Sequence, residues 1–268
     1  MEKVYCSRRE RYPTEGTNKE RYPIIITMKI KVLYEDKDIL AIDKPIGLAT
    51  HSDGKTKEKT LVDFILKNYP KMKNVGEPMT IKVKDKEIEL PRPGIVHRLD
   101  RDTSGVLLLA KNKKSFAYLK ELFQNREIRK VYYALVNGTL KYERGTINKP
   151  IGRSPKDFRR YLAGRGAKGE LRDAVTEYTV LKNIVDKKGH KFTLLEVRPK
   201  TGRTHQIRAH MKYLNHPVVG DALYNEDGIG IKGINRMMLH AKSIKFKNLN
   251  GDILKVESPL PEEFKNFI

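Results

Sequence analysis

The sequence predicts an α+β fold built on a mostly antiparallel sheet. Segments with the composition of strands outnumber segments with helical periodicity, and most of the strands follow one another without a helix between them. That order favours an antiparallel sheet over a doubly wound one, in which helices alternate with strands. The 268 residues, of which 38% are hydrophobic, suffice for one large core or two modest ones.

The first half of the chain combines short strands with two amphipathic helices. We expect strands at 32–34, 39–42 and 106–110, a short extended segment at 94–96, and a hairpin within the polar connection 71–93. Thr60 is a suitable N-cap for a helix whose apolar stripe consists of Leu61, Val62, Ile65 and Leu66. A second stripe predicts a helix over 114–125 and consists of Phe116, Leu119, Leu122 and Phe123.

The second half is richer in strands. We expect them at 131–136, 174–185, 191–197, 239–247 and 252–257, with a turn at 186–189. Thr204 is expected to open a helix over 204–215, and its buried face consists of Ile207, Met211 and Leu214. Residues 139–173 have little periodicity and are expected to form a basic loop or hairpin.

The charge of the chain calls for a polyanionic partner. Its net charge is +22, from 55 Lys and Arg against 33 Asp and Glu. Residues 111–170 carry 16 of these cations and 5 of the acidic residues, a net +11, so half of the excess lies in less than a quarter of the chain. A localised excess favours a nucleic-acid surface over a lysine-rich surface that merely confers solubility.

Several classes of protein are excluded by what the sequence lacks. One cysteine, Cys6, cannot build a disulfide framework or a thiolate metal cluster. The apolar runs are too short for a membrane span and the first residues lack a secretory apolar region, so a cytoplasmic protein is expected. His205 and His210 are five positions apart, the wrong spacing for two ligands on one helix face, and no phosphate-binding GxxxxGK[ST] loop occurs. We therefore expect no metal and no cofactor.

The chain is organised around residues 94–112, GIVHRLDRDTSGVLLLAKN. The predicted layout places Asp100 in a loop between two extended segments, where a rigid scaffold presents a carboxylate to a ligand. Arg98 lies two positions away, so in an extended segment both side chains leave the same face. Taken alone, an Asp in a DxTSG turn is more often a turn residue than a catalytic one.

HRLDRDTSG resembles the HRLD-x-x-TSG signature of the RluA-type pseudouridine synthases, which isomerise uridine to pseudouridine in RNA. Further segments resemble the same family in the same order: ILAIDKPIGLATH, KVYYALVNG, RPKTGRTHQIRAHMKYLNHPVVGD, LHAKSIKF and ESPLPEEF. The resemblance covers about residues 30–268. It implies a pseudouridine-synthase-like mixed, curved sheet flanked by helices, with an RNA-binding cleft across its middle.

The resemblance also implies the roles of individual residues. Asp100 is the essential carboxylate, which either attacks the sugar or assists a route through a glycal; the sequence does not choose between them. Arg208, the arginine that closes TGRTHQIR, pairs with Asp100. Tyr132, in a Lys-x-Tyr, stacks on the uracil and removes the proton from C5. Arg98 fills the space that the flipped uridine leaves. Tyr133 is expected on the opposite face, in the core.

Substrate contacts are expected from two further groups of residues. Within the motifs they are His97, Thr103 and Arg203. In residues 139–173, called the basic stretch below, they are Arg153, Arg159 and Arg160. Residues 1–28 are expected to be a flexible arm, too short for the S4-type domain that many relatives carry, and 29–268 a single catalytic domain, acting as a monomer.

Three functions remain open at this point. The main hypothesis is an RNA pseudouridine synthase that acts on structured RNA, with large-subunit ribosomal RNA as the expected substrate and transfer RNA as the alternative. A nucleoside hydrolase or RNA glycosidase would also use an Asp at an anomeric carbon. A non-catalytic RNA-binding or ribosome-assembly module would need only the charge. The products distinguish them: pseudouridine, free uracil, or binding alone.

Overall fold

The computed structural model describes residues 30–268, except 53, 55–57, 84–85, 227, 229 and 232. The predicted arm at 1–28 lies outside the described residues. The strands are β1 Lys31–Glu35, β2 Ile39–Lys44, β3 Met79–Val83, β4 Lys86–Leu90, β5 Ser104–Ala110, β6 Arg129–Asn137, β7 Arg144–Asn148, β8 Ile151–Arg153, β9 Tyr161–Ala163, β10 Lys168–Arg172, β11 Val175–Val185, β12 Lys191–Pro199, β13 Leu239–Lys247 and β14 Ile253–Glu257. The α-helices are α1 Leu61–Asn68, α2 Lys113–Gln124, α3 Gln206–Tyr213 and α4 Glu262–Lys265.

The predicted α+β class is confirmed. The main sheet has nine strands in the order β1-β2-β5-β13-β6-β12-β11-β7, and β14 pairs with β13 outside this path. Among the described strands of this sheet, every pairing is antiparallel except that of β5 with β13. A hairpin of β3 and β4 and a small sheet in the order β10-β8-β9 stand apart from it.

The core forms in two halves that meet near the middle of the main sheet. All seven residues of β5 are buried, and α1 and α2 pack their apolar stripes against β2 and β5. In the other half, α3 covers one face of β6 and β12 through Ile207 and Met211, and α4 covers the opposite face through Phe264. Tyr132 packs against the cores of both halves, so it marks the seam between them.

Three predicted elements differ from the structure. Residues 94–96 form no strand, and only Ile95 makes an isolated bridge, to Leu109. The helix predicted to start at Thr204 begins at Gln206, because His205 has a left-handed backbone that an α-helix does not admit. The stretch 139–173 is not a loop or a single hairpin: it forms β7 at the edge of the main sheet and the three short strands β8, β9 and β10.

No helix in the described part of the chain is long and apolar enough to cross a membrane.

Candidate active site

A cavity of about 600 Å³ opens at the seam between the two halves. Its walls are the loop before β5, the end of α2, the start of β6 and the segment that joins β12 to α3. The three residues predicted to be catalytic line it: Asp100, Tyr132 and Arg208. So do four of the predicted substrate contacts: His97, Arg98, Thr103 and Arg203.

Buried contacts to backbone carbonyls fix the loop that carries Asp100. The Thr103 amide donates to the carbonyl of Asp100 over 3.1 Å. The fully buried ammonium of Lys44 donates to the carbonyl of Arg101 over 3.0 Å and to two further carbonyls, those of residues 45 and 48. Burial lowers the pKa of Lys44 to about 7, and the three carbonyls are acceptors for the three protons of its charged form. Lys44 thereby ties the end of β2 to the Asp100 loop.

Glycine is required at position 105, where β5 enters the sheet. Gly105 has φ +113, and a Cβ built on it would lie 2.2 Å from the carbonyl oxygen of Ala241. No side chain fits such a distance, so the glycine allows β5 to run close beside β13. This close approach sets where the loop before β5 leaves the sheet, and hence where Asp100 stands.

The carboxylate of Asp100 is held by an arginine that is itself held by a second carboxylate. Arg208 Nη1 donates to Asp100 Oδ2 over 3.0 Å, the pairing that the sequence motif implies. The Nε and Nη2 of Arg208 donate to the two oxygens of Asp221 over 2.7 and 2.9 Å. The side chain of Arg208 is 5% exposed and that of Asp221 is fully buried. A bidentate pair of this kind fixes the plane of the guanidinium, and so the direction from which Asp100 is met.

The pairing keeps Asp100 ionised inside a cavity. Burial alone would raise the pKa of the Asp100 carboxyl, but the neighbouring His205 in its protonated form, Arg208 and Arg98 outweigh it and hold the pKa below its usual value. Arg208 keeps its charge although it is buried, because Asp221 and Asp100 raise its pKa against the effect of burial. No described residue donates a hydrogen bond to the Oδ1 of Asp100, which leaves this oxygen available to a ligand in the cavity that Asp100 lines.

Tyr132 and Tyr133 point to opposite faces of β6, as the alternation predicts. Tyr132 lines the cavity, whereas Tyr133 packs against the core beneath α4. Burial, with a further contribution from Asp100, raises the pKa of the Tyr132 phenol well above its usual value. Tyr132 is therefore protonated in the free protein at neutral pH.

Arg98 and Arg203 belong to two different wall segments of the cavity, the loop before β5 and the segment that joins β12 to α3. The Nη1 of Arg98 lies 3.1 Å from His51 Nε2, and the side chain is exposed at the mouth. The Nε of Arg203 donates to the carbonyl of Asp173 over 3.0 Å. Both cations retain N–H groups that these contacts do not use, and a phosphate needs such donors.

His97 has a structural contact that its predicted role did not foresee. Its Nε2 accepts the amide proton of Leu108 over 2.9 Å, and its ring stacks on Phe123 at 4.6 Å. Burial, with Lys130 nearby, lowers the pKa of His97 to about 3, so the ring is neutral. The acceptor nitrogen of His97 is thus used within the fold, which leaves only Nδ1 for a ligand.

The basic residues Arg153, Arg159 and Arg160 lie outside the cavity wall, on the small sheet and its β8–β9 turn. Arg153 stacks over the ring of Tyr161, its Cζ 5.6 Å from the centroid. Arg159 donates through Nε and Nη2 to both oxygens of Asp157, and Arg160 pairs with Asp157 and Glu226. Two of the three charges are therefore partly compensated by neighbouring carboxylates.

Three residues of the site were not predicted from the sequence: Asp221, His205 and Tyr224. Asp221 ends the motif segment at 198–221, but nothing in its spacing indicates that it clamps Arg208. The Nε2 of His205 lies 3.9 Å from Asp100 Oδ2, and its Nδ1 lies 3.0 Å from the hydroxyl of Tyr224. The ring of Tyr224 also lies under the guanidinium of Arg208, whose Cζ is 5.0 Å from the centroid.

Comparison with known proteins connects this geometry to one family. Residues 38–213 match the family model described as RNA pseudouridylate synthase. Ribosomal large subunit pseudouridine synthase D of Borreliella burgdorferi is 35% identical over 239 residues, covering 89% of this chain and 68% of the relative. The protein of that name from Xanthomonas campestris is 36% identical over 251 residues, with the same coverage. Human RNA pseudouridylate synthase domain containing 1 superposes with a TM-score of 0.64 at 25% identity, covering 92% of this chain and 86% of the human chain.

Proposed function

The chain belongs to the RluA-type family of RNA pseudouridine synthases and is an isomerase that acts on RNA, and from this premise we propose that Asp100, Tyr132 and Arg208 perform the isomerisation and that the substrate is large-subunit ribosomal RNA. The observation that carries the proposal is the Asp100 carboxylate, which is ionised, held through Oδ2 by Arg208, and directed into a cavity large enough for a nucleotide.

Asp100 supplies the negative charge that the first step needs. Conversion of uridine to pseudouridine breaks the bond from N1 to C1′, turns the uracil while it stays bound, and rejoins it through C5. A carboxylate either attacks C1′, as in glycosidases, or takes the proton from C2′ on a glycal route. Both routes need an ionised oxygen that is free to reach the sugar, and Oδ1 is the free oxygen of Asp100.

Tyr132 is proposed to stack on the uracil and to receive the proton from C5. Because its pKa is raised, it meets the base as a phenol rather than a phenolate. The phenol oxygen then accepts the C5 proton as it gives its own proton to Asp100, the carboxylate whose charge contributes to the raised pKa of Tyr132. N1 left C1′ with the electron pair of the broken bond and gains a proton in turn, so the net result is transfer of the C5 proton to N1.

Arg98 is proposed to enter the space that a flipped uridine vacates. It stands exposed at the mouth of the cavity that Asp100 lines. Extruding a base from a helix costs a few kcal/mol, and a planar cation that stacks in the gap while bonding a phosphate offsets part of this cost.

The proposed substrate follows from the names of the relatives. Two of those compared above are named for the large ribosomal subunit, and transfer RNA is the alternative. Mapping pseudouridines in total RNA with and without this protein tests the assignment: sites in large-subunit ribosomal RNA that disappear without the protein support it. If pseudouridines disappear only from transfer RNA, transfer RNA is the substrate instead.

Tyr132→Phe is expected to retain binding and to lower tritium release from 5-³H-uridine RNA by about 100-fold or more, since the ring still stacks but the proton acceptor is lost. Tyr133→Phe is the matched control, because it removes a phenol hydroxyl from the next residue, on the opposite face of β6. We expect this control to stay within about twofold of the parent. A Tyr132→Phe enzyme with the parent's rate would exclude Tyr132 as the C5 base.

The basic stretch is proposed to hold the RNA backbone beside the cavity. Neutralising Arg153, Lys156, Arg159 and Arg160 together should weaken RNA binding and flatten its dependence on salt. Each lost phosphate contact removes nearly one unit from the log–log slope on a duplex. Because Asp157 and Glu226 partly compensate Arg159 and Arg160, we expect a change in slope of less than four units. Saturating RNA should restore kcat, since the defect is one of binding.

A matched control for this variant lies at the far end of the β11–β12 hairpin. Neutralising the four exposed lysines there removes the same total charge at positions that do not line the cavity: Lys182, Lys187, Lys188 and Lys191. Equal losses of slope in the two quadruple variants would show that only total charge matters, and the basic stretch would have no specific role.

A further inference from the structure

His205 is held in an uncommon backbone conformation beside Asp100. It directly precedes α3 and has φ 54 and ψ 22, in the left-handed region that few residues other than glycine adopt. Its side chain is only 16% exposed and lines the cavity. A conformation of this kind persists where the surroundings impose it, and it is concentrated at functional sites. The contacts of the imidazole indicate what this backbone conformation achieves: it holds the ring beside Asp100.

The hydroxyl of Tyr224 determines which imidazole nitrogen of His205 carries the proton. It accepts the amide proton of Tyr161 over 2.8 Å and lies 3.0 Å from His205 Nδ1. Tyr224 is 1% exposed, and its phenol has no other acceptor among the described residues. We therefore assign the phenol proton to the bond with Nδ1, which makes Nδ1 an acceptor and places the imidazole proton on Nε2.

The protonated nitrogen faces the catalytic carboxylate. Nε2 of His205 lies 3.9 Å from Asp100 Oδ2, the same oxygen that accepts from Arg208 over 3.0 Å. This separation exceeds a hydrogen bond by about 1 Å. Hydrogen bonds in active sites are often long before substrate binds and shorten in the complex.

The packing around the imidazole favours an approach toward Asp100 rather than a swing away from it. The rings of Tyr161 and Tyr224 stand nearly perpendicular to that of His205, at 75° and 83°, with centroids 5.7 Å away in both cases. Two aromatic edges therefore confine the ring, while its Nε2 edge is directed at the carboxylate. Burial, with Arg208, lowers the pKa of His205 against the attraction of Asp100, so the ring is neutral and donates a single proton at neutral pH.

We infer that His205 is a positioning residue for the isomerisation: its Nε2–H donates to Asp100 Oδ2 once a nucleotide fills the cavity, and Tyr224 keeps the proton on that nitrogen. With Arg208 and His205 both bound to Oδ2, the carboxylate is fixed in rotation and Oδ1 is presented to the sugar. The inference rests on the proposed function, because it depends on Asp100 being the reacting carboxylate.

A double-mutant cycle with His205→Asn, Tyr224→Phe and the combined variant tests the inference at saturating RNA. Asparagine tolerates the left-handed backbone, so His205→Asn removes the imidazole without adding strain. We expect a loss in kcat of about 10- to 100-fold, the range for one hydrogen bond to a charged group, with KM within about twofold of the parent. Tyr224→Phe should lower kcat in the parent and cause no further loss in the His205→Asn background, because it acts through His205.

Tyr118→Phe is the matched control for loss of a hydrogen bond made by a phenol hydroxyl, since its hydroxyl donates to the carbonyls at 247 and 248, away from the cavity. Its kcat should equal that of the parent. Equal kcat losses from Tyr224→Phe in both backgrounds, or a His205→Asn enzyme with the parent's kcat, would overturn the inference. Asp100→Asn is measured in the same assay. If it is inactive, either of these two outcomes overturns the role of His205 alone. If it is active, the proposed function is overturned as well.

Discussion

Asp100→Asn is expected to lower the rate of pseudouridine formation by about 1,000-fold or more while RNA affinity stays within a few fold of the parent. The amide has the shape of the carboxylate but lacks its charge, so it can neither attack C1′ nor take a proton from C2′. Removal of a group that acts in the reaction typically costs several orders of magnitude in kcat. RNA affinity is expected to survive because it comes mainly from the cations around the cavity rather than from Asp100.

The neighbouring carboxylate provides the control for that experiment. Asp102→Asn removes the same charge two positions along the same loop, from a residue outside the cavity wall. We expect this enzyme to stay within a few fold of the parent in a tritium-release assay on 5-³H-uridine RNA. Substantial activity in Asp100→Asn, measured as initial rate at saturating RNA, would exclude Asp100 as the essential carboxylate.

The parts of the fold that were predicted correctly are those whose signals are local. The continuous apolar run of β5 and the stripe of α2 each bury one contiguous stretch of sequence, so period and composition suffice to identify them. The strands β8 and β9 have three residues each and β10 is exposed throughout, so no apolar alternation marks them and the sequence indicates only a basic loop or hairpin. The start of α3 was misplaced because a left-handed histidine has no signature in the sequence.

The site residues also divide into those that the sequence indicates and those that only the folded chain reveals. The pairing of Asp100 with Arg208 joins residues 108 positions apart, and it was expected only because two motifs resemble those of one family. Asp221 is equally close to Arg208, but no period or spacing relates them, so this clamp became visible only in the folded chain. The neutral state of His97 likewise depends on its burial and on Lys130 nearby, which become visible only in the folded chain.

Arg208→Met should be the second most damaging change at the site. It leaves the carboxylates of Asp100 and Asp221 without their cation, and Asp221 is fully buried. Leaving a buried charge unpaired costs about 3–5 kcal/mol of unfolding free energy. Loss of folding alone would therefore explain an inactive protein, and a second substitution is needed to separate stability from catalysis.

The combined variant Arg208→Met with Asp221→Asn makes that separation. It replaces the orphaned buried carboxylate with a neutral amide, so most of the lost stability should return, as measured by denaturant unfolding. Asp100 remains without its fixed cation, so kcat should remain at least about 100-fold below that of the parent. Recovery of both stability and activity would mean that Arg208 serves the fold and not the reaction.

The pH dependence of the residual activity identifies the cause of the loss. The reaction needs the ionised form of Asp100, so kcat/KM rises with pH through the pKa of this group in the free enzyme. In the parent, His205, Arg208 and Arg98 hold this pKa below its usual value against the effect of burial, and the acid limb lies correspondingly low. Removing Arg208 leaves burial less opposed, so the pKa rises and the acid limb moves to higher pH. An acid limb that stays where it is in the parent would show that Arg208 does not keep Asp100 ionised, and the proposed pairing would have no catalytic meaning.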